Sequence, residues 1–179
     1  MFSRKNALLL VIDMQERLLR QVPNSADLIK NTAILIKCCK ILGLPVIVTE
    51  QYPEGIGPTD SSLSPDLDQC PKITKRTFSC CREPLFLKAL EATARKQIII
   101  AGIETHVCVF QTAADLIQNG YEVQVVKDAV GSRTTANMEI GLARMRDKGV
   151  DITSLESAVF ELLETSACPE FKQILRLIK

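Results

Sequence analysis

Six short strand-like runs alternate with helix-like stretches along nearly the whole chain, and this rhythm constrains the fold more than any other feature. The runs are Ala7–Asp13, Pro45–Thr49, Lys72–Lys75, Gln97–Ala101, Tyr121–Lys127 and a weaker Val150–Thr153. The stronger runs are apolar at consecutive rather than alternate positions, the pattern of strands covered on both faces. Between them, Ser25–Leu42 carries Leu28, Ile29, Thr32, Leu35, Ile36 and Cys39 at helical spacing and meets Gly43, a residue suited to ending a helix. Pro84 suits a first helical turn before Leu85–Arg95, and Val107–Asn119 and Thr134–Lys148 each run into a glycine. Such alternation implies βαβ units, hence a parallel sheet flanked by helices on both faces. No composition shift or repeat marks a second unit, so residues 1–179 read as one domain. A chain of this size buries roughly 70% of its unfolded surface.

Two segments depart from the rhythm. Glu50–Pro71 holds four of the eight prolines and two of the eight glycines. A loop this long in a compact domain is usually functional, and it reads as a flap over a site. Pro169–Lys179 places Phe171, Ile174, Leu175 and Ile178 on one helical face, to be covered by the domain itself or by a second subunit.

Charge and composition narrow the partners. Lys plus Arg number 22 against 21 Asp plus Glu, and aromatic residues make up 4% with no Trp. That balance offers neither a basic stripe nor a stacking platform for nucleic acid. No apolar stretch reaches the roughly 20 residues that span a bilayer, and no signal peptide is visible. Seven cysteines without a CxxC motif, and a single histidine, fit reduced thiols in the cytoplasm better than a disulfide framework or a zinc cluster. No cofactor motif is present: Gly55-Ile56-Gly57 lies within a loop and opens no helix.

Chemistry enters at the strand ends. In an open parallel sheet, the carboxyl ends of the strands line the ligand crevice. Asp13 ends one run, Lys75 another, and Cys108 follows a third at the start of a helical pattern. Together they supply a base, a cation and a nucleophile. A thiol near a helix N-terminus and an ammonium is expected to favour the thiolate. Free backbone N–H groups in the same turn, at Glu104 and Cys108, can face a substrate oxygen. Plainer readings stand beside each: Cys108 as a buried small hydrophobe, Asp13 as a helix N-cap, Lys75 as a surface lysine with Lys72 and Arg76 as rivals. His106, two residues before Cys108, invites a Cys–His dyad at a spacing that does not favour one. Gln15, Gln51, Tyr52, Phe78 and Phe110 are candidates for a small-molecule pocket.

Leu10-Val11-Ile12-Asp13-Met14-Gln15, Lys75-Arg76-Thr77-Phe78-Ser79 and Ala101–Val109 together resemble the isochorismatase-like cysteine hydrolases, in order over nearly the whole chain. Thr49–Pro53 and Asp128–Arg133 also fit, and Gly102-Ile103-Glu104 is similar to the isochorismatase domain-containing subgroup. The resemblance implies a three-layer α/β fold with a six-stranded parallel sheet. It also implies an Asp13–Lys75–Cys108 triad, a cis peptide at Ile103-Glu104 and a homo-oligomer. Two departures shape the expected reaction. Nicotinamidases of this family hold a metal through an Asp-x-His type motif, whereas this chain reads Val48-Thr49-Glu50-Gln51-Tyr52-Pro53 there. Isochorismatases proper typically lack the nucleophilic cysteine, which this chain keeps. The expectation is a metal-independent, cofactor-free hydrolase of a small amide or related C–N bond, acting through a thioester. The alternative is a catalytically idle, oligomeric binding or scaffold protein of the same fold.

Overall fold

The computed structural model describes residues 1–179. Six strands form one parallel sheet in the order β3-β2-β1-β4-β5-β6. They are β1 (Ala7–Ile12), β2 (Val46–Gln51), β3 (Lys72–Lys75), β4 (Gln97–Ile103), β5 (Glu122–Gly131) and β6 (Asp151–Thr153). Every residue of β1 and β4 is buried, as their unbroken apolar sequences require for the two central strands.

Helices cover both faces. On one side lie α1 (Glu16–Leu19), α2 (Ser25–Ile41), α8 (Leu155–Leu163) and α9 (Phe171–Ile178), sharing a core cluster with Leu9 and Val11. On the other, α5 (Pro84–Ala92), α6 (Phe110–Gln118) and α7 (Thr135–Asp147) pack with Leu8, Leu10 and Ile12. The alternate residues of β1 thus feed two separate cores, which makes the molecule the expected three-layer α/β fold. Two single-turn helices, α3 (Pro53–Ile56) and α4 (Ser64–Leu67), interrupt the long loop after β2.

Four features differ from the sequence reading. The helix α8 falls in a stretch given no element, although Ser154 caps it by accepting the Ser157 amide and five of its nine residues are buried. The fifth strand continues past Lys127 to Gly131, beside an irregularity in the pairing of β4 between Ile100 and Gly102. The helix expected from Val107 begins instead as a π-helical turn, Thr105–Val109, before α6. The loop expected as a flap is anchored to the domain along its length. Gln15 bridges to Thr59, the Asp60 amide donates to the Met14 carbonyl at 2.8 Å, and Leu63 and Leu67 are buried. At the C-terminus, α9 lays Ile174 fully into the core of its own domain. No helix is long and apolar enough to cross a membrane, and all seven cysteines are free thiols.

Candidate functional site

The sheet register assembles the site. Ile12 pairs with Thr49 on β2 and with Gly102 on β4, so the end of β1 is flanked by the ends of both neighbours. Gly102 has φ +127, and a Cβ there would stand 2.7 Å from the Ile12 nitrogen. Only glycine allows β4 to come this close to the chain just before Asp13. Asp13 itself leaves the strand with φ +52, a left-handed conformation that Asp tolerates better than most residues.

Asp13 is fully buried and accepts two hydrogen bonds. Lys75 Nζ donates to Oδ2 at 2.6 Å and Thr49 Oγ1 donates to Oδ1 at 2.7 Å. It caps no helix, since α1 has Gln15 at its N-cap. Lys75, 1% exposed, also donates to Gln51 Oε1 at 2.7 Å and lies 3.3 Å from the Thr77 carbonyl. Burial is the largest single influence and pulls the lysine down, but the Asp13 carboxylate together with the Cys80 and Cys108 sulfurs holds the ammonium above its ordinary pKa. The rival cations are engaged elsewhere. Lys72 pairs with Glu50 at 3.6 Å and Arg76 stacks on the Tyr52 ring.

Cys108 sits in the π-helical turn, 7% exposed, within the core cluster that also holds Cys80, Phe86 and Phe110. Burial pushes its thiol well above the ordinary range, and the Asp13 carboxylate pushes it further, while Lys75 pulls it back. Burial and the Asp13 carboxylate thus act against the thiolate expected from the helix turn and Lys75. The carbonyl of Glu104 accepts from the Val107 amide at 3.0 Å and the Val109 amide at 3.2 Å, passing over the Cys108 amide between them. The Ile103–Glu104 peptide is cis.

The other candidates have plainer places. Gln15 is fully buried: its Nε2 donates to the Gln51 carbonyl at 3.0 Å and its Oε1 accepts the Gln51 amide at 2.7 Å. Gln51 reaches the site through Lys75. Tyr52 and Phe78 are 39% and 55% exposed, whereas Phe110 is buried with Arg144 over its ring. His106 pairs with Ser132, its Nδ1 3.1 Å from the hydroxyl oxygen, so the Cys–His dyad does not form. A groove of about 330 Å³ between the start of α2 and the end of β5, lined by Asn24, Asp27, Asn31, Lys127, Ser132 and Glu139, excludes Asp13, Lys75 and Cys108.

The residues do not fit the metal seen in nicotinamidases. Glu50, nearest that sequence position, accepts the Thr59 amide at 2.8 Å and its hydroxyl at 2.7 Å. No three His, Cys, Asp or Glu residues are grouped to hold an ion. Thr49 and Cys80 escaped the sequence reading. Thr49 reaches Asp13 only through strand register, and Cys80 lies 3.9 Å from the Thr49 hydroxyl by way of the turn after β3.

Comparison with known proteins agrees with this architecture. Residues 7–157 match the family described as the isochorismatase domain. The secreted isochorismatase effector Isc1 of Phytophthora sojae is 39% identical, over 97% of this chain and 85% of that protein. Isochorismatase domain-containing protein 2 of Danio rerio is 35% identical, over 98% and 88%. Among solved structures, the MAR1 ribonuclease of Caenorhabditis elegans superposes with a TM-score of 0.94 at 35% identity, covering 99% of this chain and 91% of that one. YcaC of Pseudomonas aeruginosa, bearing covalent acrylamide, gives 0.92 at 29% identity, over 97% and 89%. The Escherichia coli YcaC product, described as an octameric hydrolase of unknown specificity, gives 0.89 at 26% identity, over 98% and 94%. With its sheet order and these matches in accord, the chain belongs to the isochorismatase domain family, a membership that supports hydrolase-type activity.

Proposed function

We propose that this protein is a metal-independent cysteine hydrolase that cleaves a small amide or related C–N bond through a thioester on Cys108. The observation that supports this reading is the buried Asp13–Lys75 pair at the ends of β1 and β3, with the buried Cys108 in the turn after β4 near enough for both charges to act on its thiol. Asp13 takes the thiol proton as the sulfur attacks the carbonyl carbon, so no charged sulfur has to persist in apolar surroundings. Lys75 and Thr49 hold both carboxylate oxygens in place for that transfer. The amides of Glu104 and Cys108 receive the developing oxyanion. Collapse of the tetrahedral adduct expels the amine, which leaves with the proton from Asp13. Water, deprotonated by Asp13, then attacks the thioester and releases the acid and the thiol.

The covalent acrylamide on YcaC supports a reactive nucleophile in a relative of this fold. Tyr52, Phe78 and Phe110 are the apolar candidates beside the site, and a homo-oligomer follows the octameric relative. A cytoplasmic location remains part of the proposal, against one relative named as secreted.

Phosphodiester cleavage is the second reading, favoured by the likeness to the worm ribonuclease. The site's own cation is spent on Asp13, and the formal net charge of +1 offers no polyanion track. Purified wild-type protein and Cys108→Ala, assayed for ammonia and acid release across a panel of small amides and for cleavage of a labelled RNA, separate the readings. Amide turnover lost in Cys108→Ala supports the first. RNA cleavage that survives in Cys108→Ala, without amide turnover, overturns it.

A further inference from the structure

The exit of β5 lies against the nucleophile turn along three successive residues. Gly131 pairs with Ile103 in the sheet, Ser132 meets His106, and Arg133 meets Glu104. The last contact is the most specific. Glu104 Oε1 accepts both the Arg133 backbone amide at 3.1 Å and Nε at 2.9 Å, while Oε2 accepts Nη2 at 2.8 Å. Hydrogen bonds from Arg133, outweighing partial burial, hold the Glu104 carboxyl below its ordinary range. Beneath the same turn, Gly141 of α7 lets the helix approach so closely that a Cβ would stand 2.9 Å from the His106 Cα.

An exposed ion pair usually contributes little to stability. This pair differs because its carboxylate belongs to the residue whose own amide faces the proposed oxyanion. The side chain is tied by a fork and a main-chain donor together, which fixes the Cα of Glu104 from two directions. Asp128–Arg133 also stood out in the sequence without any assigned role.

We infer that Arg133 is a positioning residue, which clamps the Glu104 side chain so that the Glu104 amide is aimed at the developing oxyanion. The inference rests on the acyl-transfer reading of Cys108. The guanidinium touches neither substrate nor sulfur. Its effect falls on a step that develops an oxyanion and not on one that merely uses the sulfur as a nucleophile. Acylation by p-nitrophenyl acetate belongs to the first kind, and alkylation by iodoacetamide, a displacement at saturated carbon, to the second.

The experiment measures both rate constants at Cys108 in wild type, Arg133→Ala and Arg133→Lys, with thermal midpoints alongside. Arg133→Ala is expected to acylate at least about ten-fold more slowly, short of the roughly hundred-fold cost of deleting an oxyanion donor outright. Alkylation should change less than about two-fold, since the thiol's surroundings are untouched. Lysine, which cannot reproduce the fork, should restore acylation only in part. Glu104→Gln tests the other half of the clamp and should mimic Arg133→Ala. Equal acylation in wild type and Arg133→Ala overturns the inference, as does a parallel fall in acylation and alkylation. A wild type that is not acylated at Cys108 removes the acyl-transfer reading itself, and the inference with it.

Discussion

Lys75 Nζ lies 2.6 Å from Asp13 Oδ2, and both side chains are sealed from solvent. The pair joins the ends of β3 and β1, two strands that are not neighbours, across Thr49 on the strand between them. Charges so deeply buried are tolerable only because each satisfies the other and both have further polar partners.

Removing one member of that pair should therefore cost much more than a surface substitution. Lys75→Met leaves the Asp13 carboxylate buried without its cation, a loss of about 3–5 kcal/mol. In a chain of this length the thermal midpoint should fall by roughly 10 °C. Calorimetry on the variant checks this, and a fall of only a degree or two would show that the pair is far wetter than its burial indicates.

Asp13→Asn should separate thiol reactivity from turnover. After burial, the Asp13 carboxylate is the next contribution holding the Cys108 thiol high, so a neutral amide lowers it and leaves Lys75 to favour thiolate. Alkylation by iodoacetamide near neutral pH should speed up by about ten-fold per unit by which the pKa falls. Hydrolysis should nonetheless fall by about 10²–10⁴-fold, because nothing then takes and returns the proton. Alkylation rates against pH, measured beside turnover, show whether the two move in opposite directions.

Buried thiols should weaken the fold in alkali. Burial pushes Cys80 from an ordinary 9.0 up to about 11, with Asp13 raising it and Lys75 opposing. As pH rises through the ordinary value, the unfolded chain loses this proton first while the folded chain keeps it. Stability is then lost between the two values, by about 1.4 kcal/mol per pH unit for this group. Cys38, raised to about 11 by burial, acts in the same direction. Urea midpoints taken from pH ~8 to ~10.5 should decline, and Cys80→Ala should flatten the slope.

How much of this was legible in sequence follows from the kind of interaction involved. The consecutive apolar runs at Ala7–Ile12 and Gln97–Ile103 announce central parallel strands because both their faces must be buried. Asp13 was visible because a carboxylate ending such a run is costly without a partner, whereas Lys75 and Cys108 were weak signals alone and stood out through the family resemblance. Thr49 and the Arg133 clamp were not visible, since strand register and a turn's side-chain partners are set by packing between distant segments. The helix α8 was legible and was passed over: Leu155, Ala158, Val159, Leu162 and Leu163 fall at i, i+3, i+4, i+7 and i+8 on one face, behind the capping Ser154. The weight of burial on the Cys108 thiol went unread for a different reason. Local sequence shows the turn and the nearby cation but not the apolar cluster that closes over the sulfur.

Gly102→Ala should damage both fold and site. A Cβ there meets the Ile12 backbone, and φ +127 is a conformation side chains rarely adopt. A loss of at least about 2 kcal/mol is expected. Because Ile12 carries Asp13, residual activity per folded molecule should fall too, in contrast to Gly43→Ala, where nothing lies within reach of a new Cβ. Chemical denaturation with activity normalised to the folded fraction distinguishes the two glycines.

The most direct test of the acyl-transfer reading is to quench the enzyme during reaction with an activated acyl donor and locate the acyl group by peptide mass spectrometry. A single hydroxylamine-labile acyl group on Cys108, absent from Cys108→Ala of unchanged thermal midpoint, is the expected result. Acylation spread over other residues, or undiminished in Cys108→Ala, would contradict it.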